Sequence, residues 1–121
     1  MTTNVAVNWF EIPATDLDRA EKFYTAVFGG QMLPMNAPGG KMLAFQNDGM
    51  PVGALIGAAN IKPGDHGPLV YLDAQGDIDA RLSAVEASGG SVALPKTDIG
   101  DYGAIAHFID CEGNRVALHT R

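Results

Sequence analysis

Few side chains in this 121-residue chain can do chemistry. The single tryptophan, Trp9, stands two residues before Glu11 in "NWFEIP". Three histidines, His66, His107 and His119, and one cysteine, Cys111, lie in the second half. On an extended strand Trp9 and Glu11 point to one face, and Phe10 and Ile12 to the other. An indole on an open face can stack on a planar ligand, and a nearby carboxylate can act as a general base or pair with a cation. The same two residues can instead be structural, Trp9 filling space and Glu11 bonding a neighbouring strand. His107 falls on a segment with strand character, where an imidazole can serve as acid or base or be an ordinary hydrogen-bonded residue. His119 shares the face of Ala117, so it either lines the rim of a site or sits exposed near the end of the chain. His66, in "PGDHG", reads as solvated. Cys111 has no basic neighbour in sequence and reads as an inert turn cysteine.

Other chemistries lack their residues. "NDGMPVG" has no lysine and no following helix, so it cannot be a phosphate loop. There is no nucleophile elbow, no Cys-x-x-Cys and no zinc helix motif. Hydrophobic residues make up 46% and charged residues 18%, an ordinary globular composition. A net charge of −6 weighs against nucleic acid and anionic membrane as partners. It suits a cationic or neutral small ligand. The longest weakly polar run, Val52 to Ala59, is too short to span a bilayer. "MTTNVAVN" lacks the basic and apolar regions of a secretory signal, and one cysteine allows no intrachain disulfide. A cytoplasmic protein is expected.

The elements that must position these residues are written twice. "VNWFEI" has strand formers and Pro13 closes it. Thr15 or Asp16 can cap a helix whose Leu17, Ala20, Phe23, Tyr24, Val27 and Phe28 form one apolar stripe, ended by Gly29 or Gly30. "LVYLDA" and "DIDARLSAVEASGG" repeat the order, with Asp77 at the helix start, Ile78, Leu82 and Val85 on one face, and Gly89 and Gly90 at the end. Asp16 matches Asp77, Gly29 matches Gly89, Pro34 matches Pro95, Phe45 matches Phe108 and Ala54 matches Ala117. Later strands are expected near Gln31–Met35, Lys41–Gln46 and Val52–Ala58, then Ser91–Leu94, Tyr102–Ile109 and Arg115–Thr120. "NDG" and "DCEGN" make the hairpin turns, and "AANIKPGDHG" links the halves. The chain is therefore one α+β domain, residues 1–121, of two βαβββ modules, about 5–59 and 67–121. A four-stranded sheet with one helix leaves its other face open, and two such sheets sharing open faces make a cup-shaped mixed sheet. Trp9 and Glu11 should face that cup.

"FEIPATDLDRAEKFYTAVFGG", "DIDARLSAVEASGG" and "FIDCEGNRVALH" together resemble the vicinal oxygen chelate superfamily of glyoxalases, bleomycin-resistance proteins and extradiol dioxygenases. The resemblance runs from about Asn8 to His119, carried most specifically by "DLDRAEKFY" and the D-x-x-G-N turn. It implies the glyoxalase fold, a homodimer and a divalent metal held by His, Gln or Glu from the first and last strands of each module. Carried onto this sequence, those positions are Trp9, Leu69 or Val70, Ala54 and Ala117, which offer no metal donor. Glu11 and His119 stand two residues from Trp9 and Ala117, one layer away along each strand. His107 stands where the resembling dioxygenases carry a catalytic tyrosine.

The expectation is a glyoxalase-like protein that binds a small molecule in the cup without the usual metal or other cofactor. Trp9 and His119 are its candidate ligand-binding residues, and Glu11 and His107 its candidate catalytic ones. The alternatives are a metal-dependent lyase or dioxygenase of the superfamily, or a metal-free enzyme using Glu11 or His107 as acid or base.

Overall fold

The computed structural model describes residues 6–37, 40–57 and 60–121. The chain is α+β, and each half builds a four-stranded mixed sheet with one helix. The first half runs β1 (Glu11–Pro13), α1 (Leu17–Phe28), β2 (Leu33–Ala37), β3 (Gly40–Asn47) and β4 (Met50–Ile56). The second runs β5 (Tyr71–Asp73), α2 (Ile78–Ala87), β6 (Ser91–Asp98), β7 (Ala104–Ile109) and β8 (Arg115–Thr120). The sheets have matching orders, β1-β4-β3-β2 and β5-β8-β7-β6. In each, the first strand pairs in parallel with the last and the remaining pairs are antiparallel.

Both helices start as their sequences dictate. Asp16 caps α1 by accepting the Arg19 N–H at 3.0 Å, and Asp77 caps α2 by accepting the Ala80 N–H at 2.9 Å. Ala20, Phe23, Tyr24 and Val27 of α1 and Ile78, Leu82 and Val85 of α2 are buried. They share one core with Ile12, Leu43 and Leu55 from the first sheet and Phe108, Val116 and Leu118 from the second. Full burial of such a side chain stabilises by roughly 1.5–3 kcal/mol, so this core is the main reason the halves stay together. Phe10 and Ile12 do face the helices. The Phe10 ring packs over Gly53, where an added Cβ would lie 2.2 Å from it.

The strand ends differ from the sequence reading, for local reasons. β1 and β5 are three residues each, although the Phe10 and Val70 carbonyls already accept from Ala54 and Ala117. Pro13 is the last residue of β1 and closes it as expected, tolerated there because β1 is an edge strand. β6 runs on past Pro95 to Asp98 because the register slips on either side of Leu94. Tyr102 is not in a strand. Gly100 and Gly103 adopt positive φ, and a short 3₁₀ turn spans Gly100–Tyr102 instead. β4 begins at Met50 and ends at Ile56. Met1–Val5, Pro38, Gly39, Ala58 and Ala59, at the expected boundaries and in the turn and linker, lie outside the described residues.

The turn between β7 and β8 locks the second half onto the first. Asp110 is buried, and its Oδ2 accepts the Tyr24 hydroxyl at 2.7 Å from across the core. Its Oδ1 accepts the backbone N–H groups of Glu112 and Asn114 at 2.8 and 2.9 Å. The Asn114 amide donates to the Pro13 carbonyl at 2.8 Å, tying down the end of β1. Glu112 then reaches the start of α1. It accepts from the Thr15 N–H at 2.6 Å, the Thr15 hydroxyl at 2.7 Å, the Asp16 N–H at 3.0 Å and Arg19 Nη2 at 2.6 Å. A carboxylate belongs there, because the helix N-terminus presents free N–H groups and the positive end of its dipole.

Burial pushes the Glu112 carboxyl up, but the bonds from Thr15, Arg19 and Asp16 outweigh it and hold it below its ordinary value. A group lowered in the folded state stabilises fully above its unfolded value and loses that contribution as pH falls through the folded one. Glu112→Gln is therefore expected to cost about 1–3 kcal/mol near neutral pH. The gap to wild type should close as pH falls from above the ordinary glutamate range through the lowered Glu112 value, followed by urea unfolding. A gap that stays constant with pH would show that the charge of Glu112 is not what matters.

Candidate functional site

Each sheet has a face turned away from the helices, and the ladder register aligns what stands on it. In the first sheet Glu11 pairs with Ala54, Ala54 with Ala44, and Ala44 with Leu33. In the second Tyr71 pairs with Ala117, Ala117 with His107, and His107 with Leu94. These are equivalent rows of the two modules. Directly opposed residues point to the same face, so the first row sets two fully buried alanines, Ala54 and Ala44, between Glu11 and Leu33, and the second sets Ala117 between Tyr71 and His107. Glu11 is thus level with Ala54, and the one-layer displacement expected from sequence spacing is absent. Tyr71, not Leu69 or Val70, stands across from Ala117.

Trp9 precedes β1 and its Nε1 donates to Glu11 Oε2 at 3.3 Å, which confirms that the two share a face. Glu11 is exposed and Trp9 half-buried. On the second sheet, Arg115 Nη1 lies 2.8 Å from His107 Nδ1. A guanidinium can only donate, so Nδ1 is the acceptor and the imidazole carries its proton on Nε2. That Nε2 is buried and has no hydrogen-bond partner among the described residues. Burial first, and then the Arg115 charge, hold His107 below its ordinary value. His107 is therefore a neutral donor whose basic nitrogen is already engaged. The edge of the Tyr71 ring meets it, with centroids 6.1 Å apart.

The other candidates are dispersed. His119 pairs with Asp73 and Ile105, two residues and so one layer beyond the alanine row as its spacing predicts, and its Nε2 lies 2.7 Å from the Tyr102 carbonyl. His66 is exposed beside Asp65 in the linker. Cys111 is half-buried, and burial, then Asp110, push its thiol up, against reactivity. Among the described residues no hydrogen bond joins Trp9 or Glu11 to His107 or His119. Nor do any three His, Cys, Asp or Glu side chains converge as a metal would need. Each row offers one carboxylate or imidazole donor, Glu11 in the first and His107 in the second, and His107 Nδ1 is taken by Arg115.

The glycine-turn signature was legible, but the partners of its acidic residues were not. Separately, a cleft of about 560 Å³ opens on the helix side between the halves, lined by Phe10, Phe28, Phe45, Asp48, Asp73 and Gln75 among others. Trp9, Glu11, His107 and His119 do not line it. Among the described residues no helix is long and apolar enough to cross a membrane.

The model of the Glyoxalase/Bleomycin resistance protein/Dioxygenase superfamily matches residues 6–118. The protein CFP32 of Mycobacterium bovis is 34% identical over 117 residues, which cover 92% of this chain and 44% of that protein. The chain thus spans less than half the length of that curated relative. A glyoxylase-like domain-containing protein of Didymella fabae is 32% identical over 127 residues, covering 100% of this chain and 98% of its own length. Among solved structures, TnmS3, an antibiotic binding protein from Streptomyces sp. CB03234, superimposes with a TM-score of 0.63 at 24% identity, covering 98% of each chain.

The state of His107 can be read directly. In an NMR titration its ring resonances are expected to change at a lower pH than those of a model histidine. Arg115→Met should raise that midpoint only part of the way, because burial is the larger cause. A midpoint that Arg115→Met leaves in place would remove the Arg115 pairing.

Proposed function

Since the chain belongs to the glyoxalase/bleomycin resistance protein/dioxygenase superfamily, we propose that it binds a small organic molecule on the open faces of its two sheets without recruiting a metal. One observation carries the reading. The matching rows place Ala54 and Ala117 at their centres, flanked by Glu11 in one and by Tyr71 and His107 in the other. The alanines are fully covered, so the surface offered to a ligand is that of the side chains beside them, Glu11 and Trp9 on one sheet and Tyr71 and His107 on the other. Trp9 and Tyr71 bring aromatic surface, and Glu11 brings one negative charge. Such a lining holds a planar molecule by stacking and orients it by a few polar contacts. TnmS3, by its name an antibiotic binder, has a similar fold and supports this reading.

The same open faces favour a homodimer. Tyr71 is 49% exposed on an edge strand, and a twofold partner would cover that surface. With the cytoplasmic setting expected from the sequence, this completes the proposal.

The test combines elemental analysis, sedimentation and tryptophan fluorescence on protein purified without chelator. The expected results are substoichiometric metal, a dimer at micromolar concentration, and Trp9 emission that responds to an aromatic ligand library with or without chelator. Near-stoichiometric zinc, nickel, manganese or iron that Glu11→Ala and His107→Ala both release would overturn the metal-free reading.

A further inference from the structure

The two halves repeat one another in element order and strand pairing but differ at the hairpin turn between their last two strands. Between the paired Ile109 and Arg115 the second turn holds five residues, 110–114, and it crosses to α1. Between the paired Asn47 and Met50 the first turn holds only Asp48 and Gly49. Both adopt positive φ, as a tight hairpin turn requires, and the chain doubles back at once. No carboxylate of this turn caps α2 as Glu112 caps the start of α1. Nor does α2 offer a tyrosine. The residue sixty or sixty-one positions beyond Tyr24, the offsets of the matched Gly29–Gly89 and Asp16–Asp77 pairs, is Ala84 or Val85. The space that the second turn fills in one half stays open in the other. The cleft occupies it, with Asn47 and Asp48 of the short turn on one side and Asp73 and Gln75, just before α2, on the other.

Its lining has a definite chemistry. Phe10, Phe45, Tyr24 and Phe28 form a chain of touching rings along it. Phe10 and Phe45 centroids are 5.5 Å apart, Phe45 and Tyr24 meet edge-on at 5.3 Å, and Tyr24 and Phe28 lie parallel at 6.3 Å. Two carboxylates, Asp48 and Asp73, stand among the lining residues, and no lysine, arginine or histidine does. Asp73 Oδ1 accepts the Gln75 N–H at 2.8 Å, which fixes its carboxylate in place. Arg121 lines a neighbouring depression with Asp73, but no ion pair joins them among the described residues. Aromatic faces carry negative potential, so rings and carboxylates attract the same kind of ligand. The volume lies within the roughly 300–1,000 Å³ of ordinary small-molecule sites.

We propose that this cleft is a second ligand site, selective for a flat aromatic cation of one or two rings. The rings of the cleft supply stacking and cation–π attraction, and Asp48 and Asp73 neutralise the charge. Flat anions are disfavoured, because no basic side chain lines the site and Arg81, which stands behind Gln75, has its Nη1 engaged by Gln75 Oε1 at 3.3 Å. The site opens on the side of the first sheet that Phe10 faces, opposite to Trp9 and Glu11, so it does not depend on the open-face reading. Tyr71, on an edge strand, borders both.

The test uses N-methylquinolinium, neutral quinoline and quinoline carboxylate as probes in an amide NMR titration of the whole chain at low salt. The cation is expected to shift Gln31, Gln46, Asp48 and Gln75 and to bind about tenfold tighter than quinoline, with the carboxylate weakest. Added salt should narrow that preference. Asp48→Asn with Asp73→Asn should cut it to about twofold, whereas Asp65→Asn, in the linker and outside the cleft lining, should leave it unchanged. Should the double variant fail to fold, the wild-type shift map and salt dependence decide alone. Cation and carboxylate binding equally well, shifts confined to the Trp9 face, or no shift at the cleft amides up to probe solubility would each overturn the proposal.

Discussion

A carboxylate taken out of water must find its donors within the protein or not ionise at all, and Asp110 finds four. Two backbone N–H groups of its own turn hold Oδ1, while the Tyr24 hydroxyl and the Asn114 amide hold Oδ2. The arrangement is reciprocal. Burial, and then the Asp110 charge, raise Tyr24 well above its ordinary value, so the phenol keeps the proton it donates. Because Tyr24 belongs to the first module and Asp110 to the second, this one bond sets the docking of α1 against the β7–β8 hairpin. Glu112 and Asn114 follow from it. Once Asp110 shapes the turn, Glu112 lies over the start of α1 and Asn114 beside the end of β1.

A duplicated unit that satisfied this constraint twice would be closed on both sides of its pseudo-symmetric core. This chain satisfies it once. The short Asp48–Gly49 turn leaves the second seat empty, and the aromatic rings that would have been covered there border a cleft instead. The open faces of the sheets show the opposite economy. There the modules keep equivalent alanines, Ala54 and Ala117, and differ in what flanks them. Divergence between two copies of one unit thus shapes both of the surfaces proposed here to take a ligand.

Much of this was legible in the sequence. The apolar stripes, the aspartate caps and the glycine stops repeat in order, which is enough to write two βαβββ units, and alternation along "NWFEIP" sorted Phe10 from Trp9. What escaped was whatever depends on reach. Nothing local to Glu112 reveals that its partners lie at Thr15, Asp16 and Arg19, and a tyrosine on an apolar stripe does not announce where its hydroxyl goes. The pairing of Arg115 with His107 requires adjacent strands in a register that Leu94 and its neighbours disturb. Gly100 and Gly103 end the strand character around Tyr102 by backbone geometry that side-chain patterning cannot show. One signal was available: "NDG" and "DCEGN" differ in length, and that difference decides which turn can cross the core.

The most direct measurement of this account is native-state hydrogen exchange across both modules. If the Asp110 turn makes the halves one cooperative unit, the slowest amides of α1, such as those of Phe23 and Tyr24, and those of β7 and β8, such as Phe108 and Val116, will exchange through a common opening of the same free energy. Two separate levels, with α1 and the first sheet opening while β7 and β8 stay protected, would contradict it.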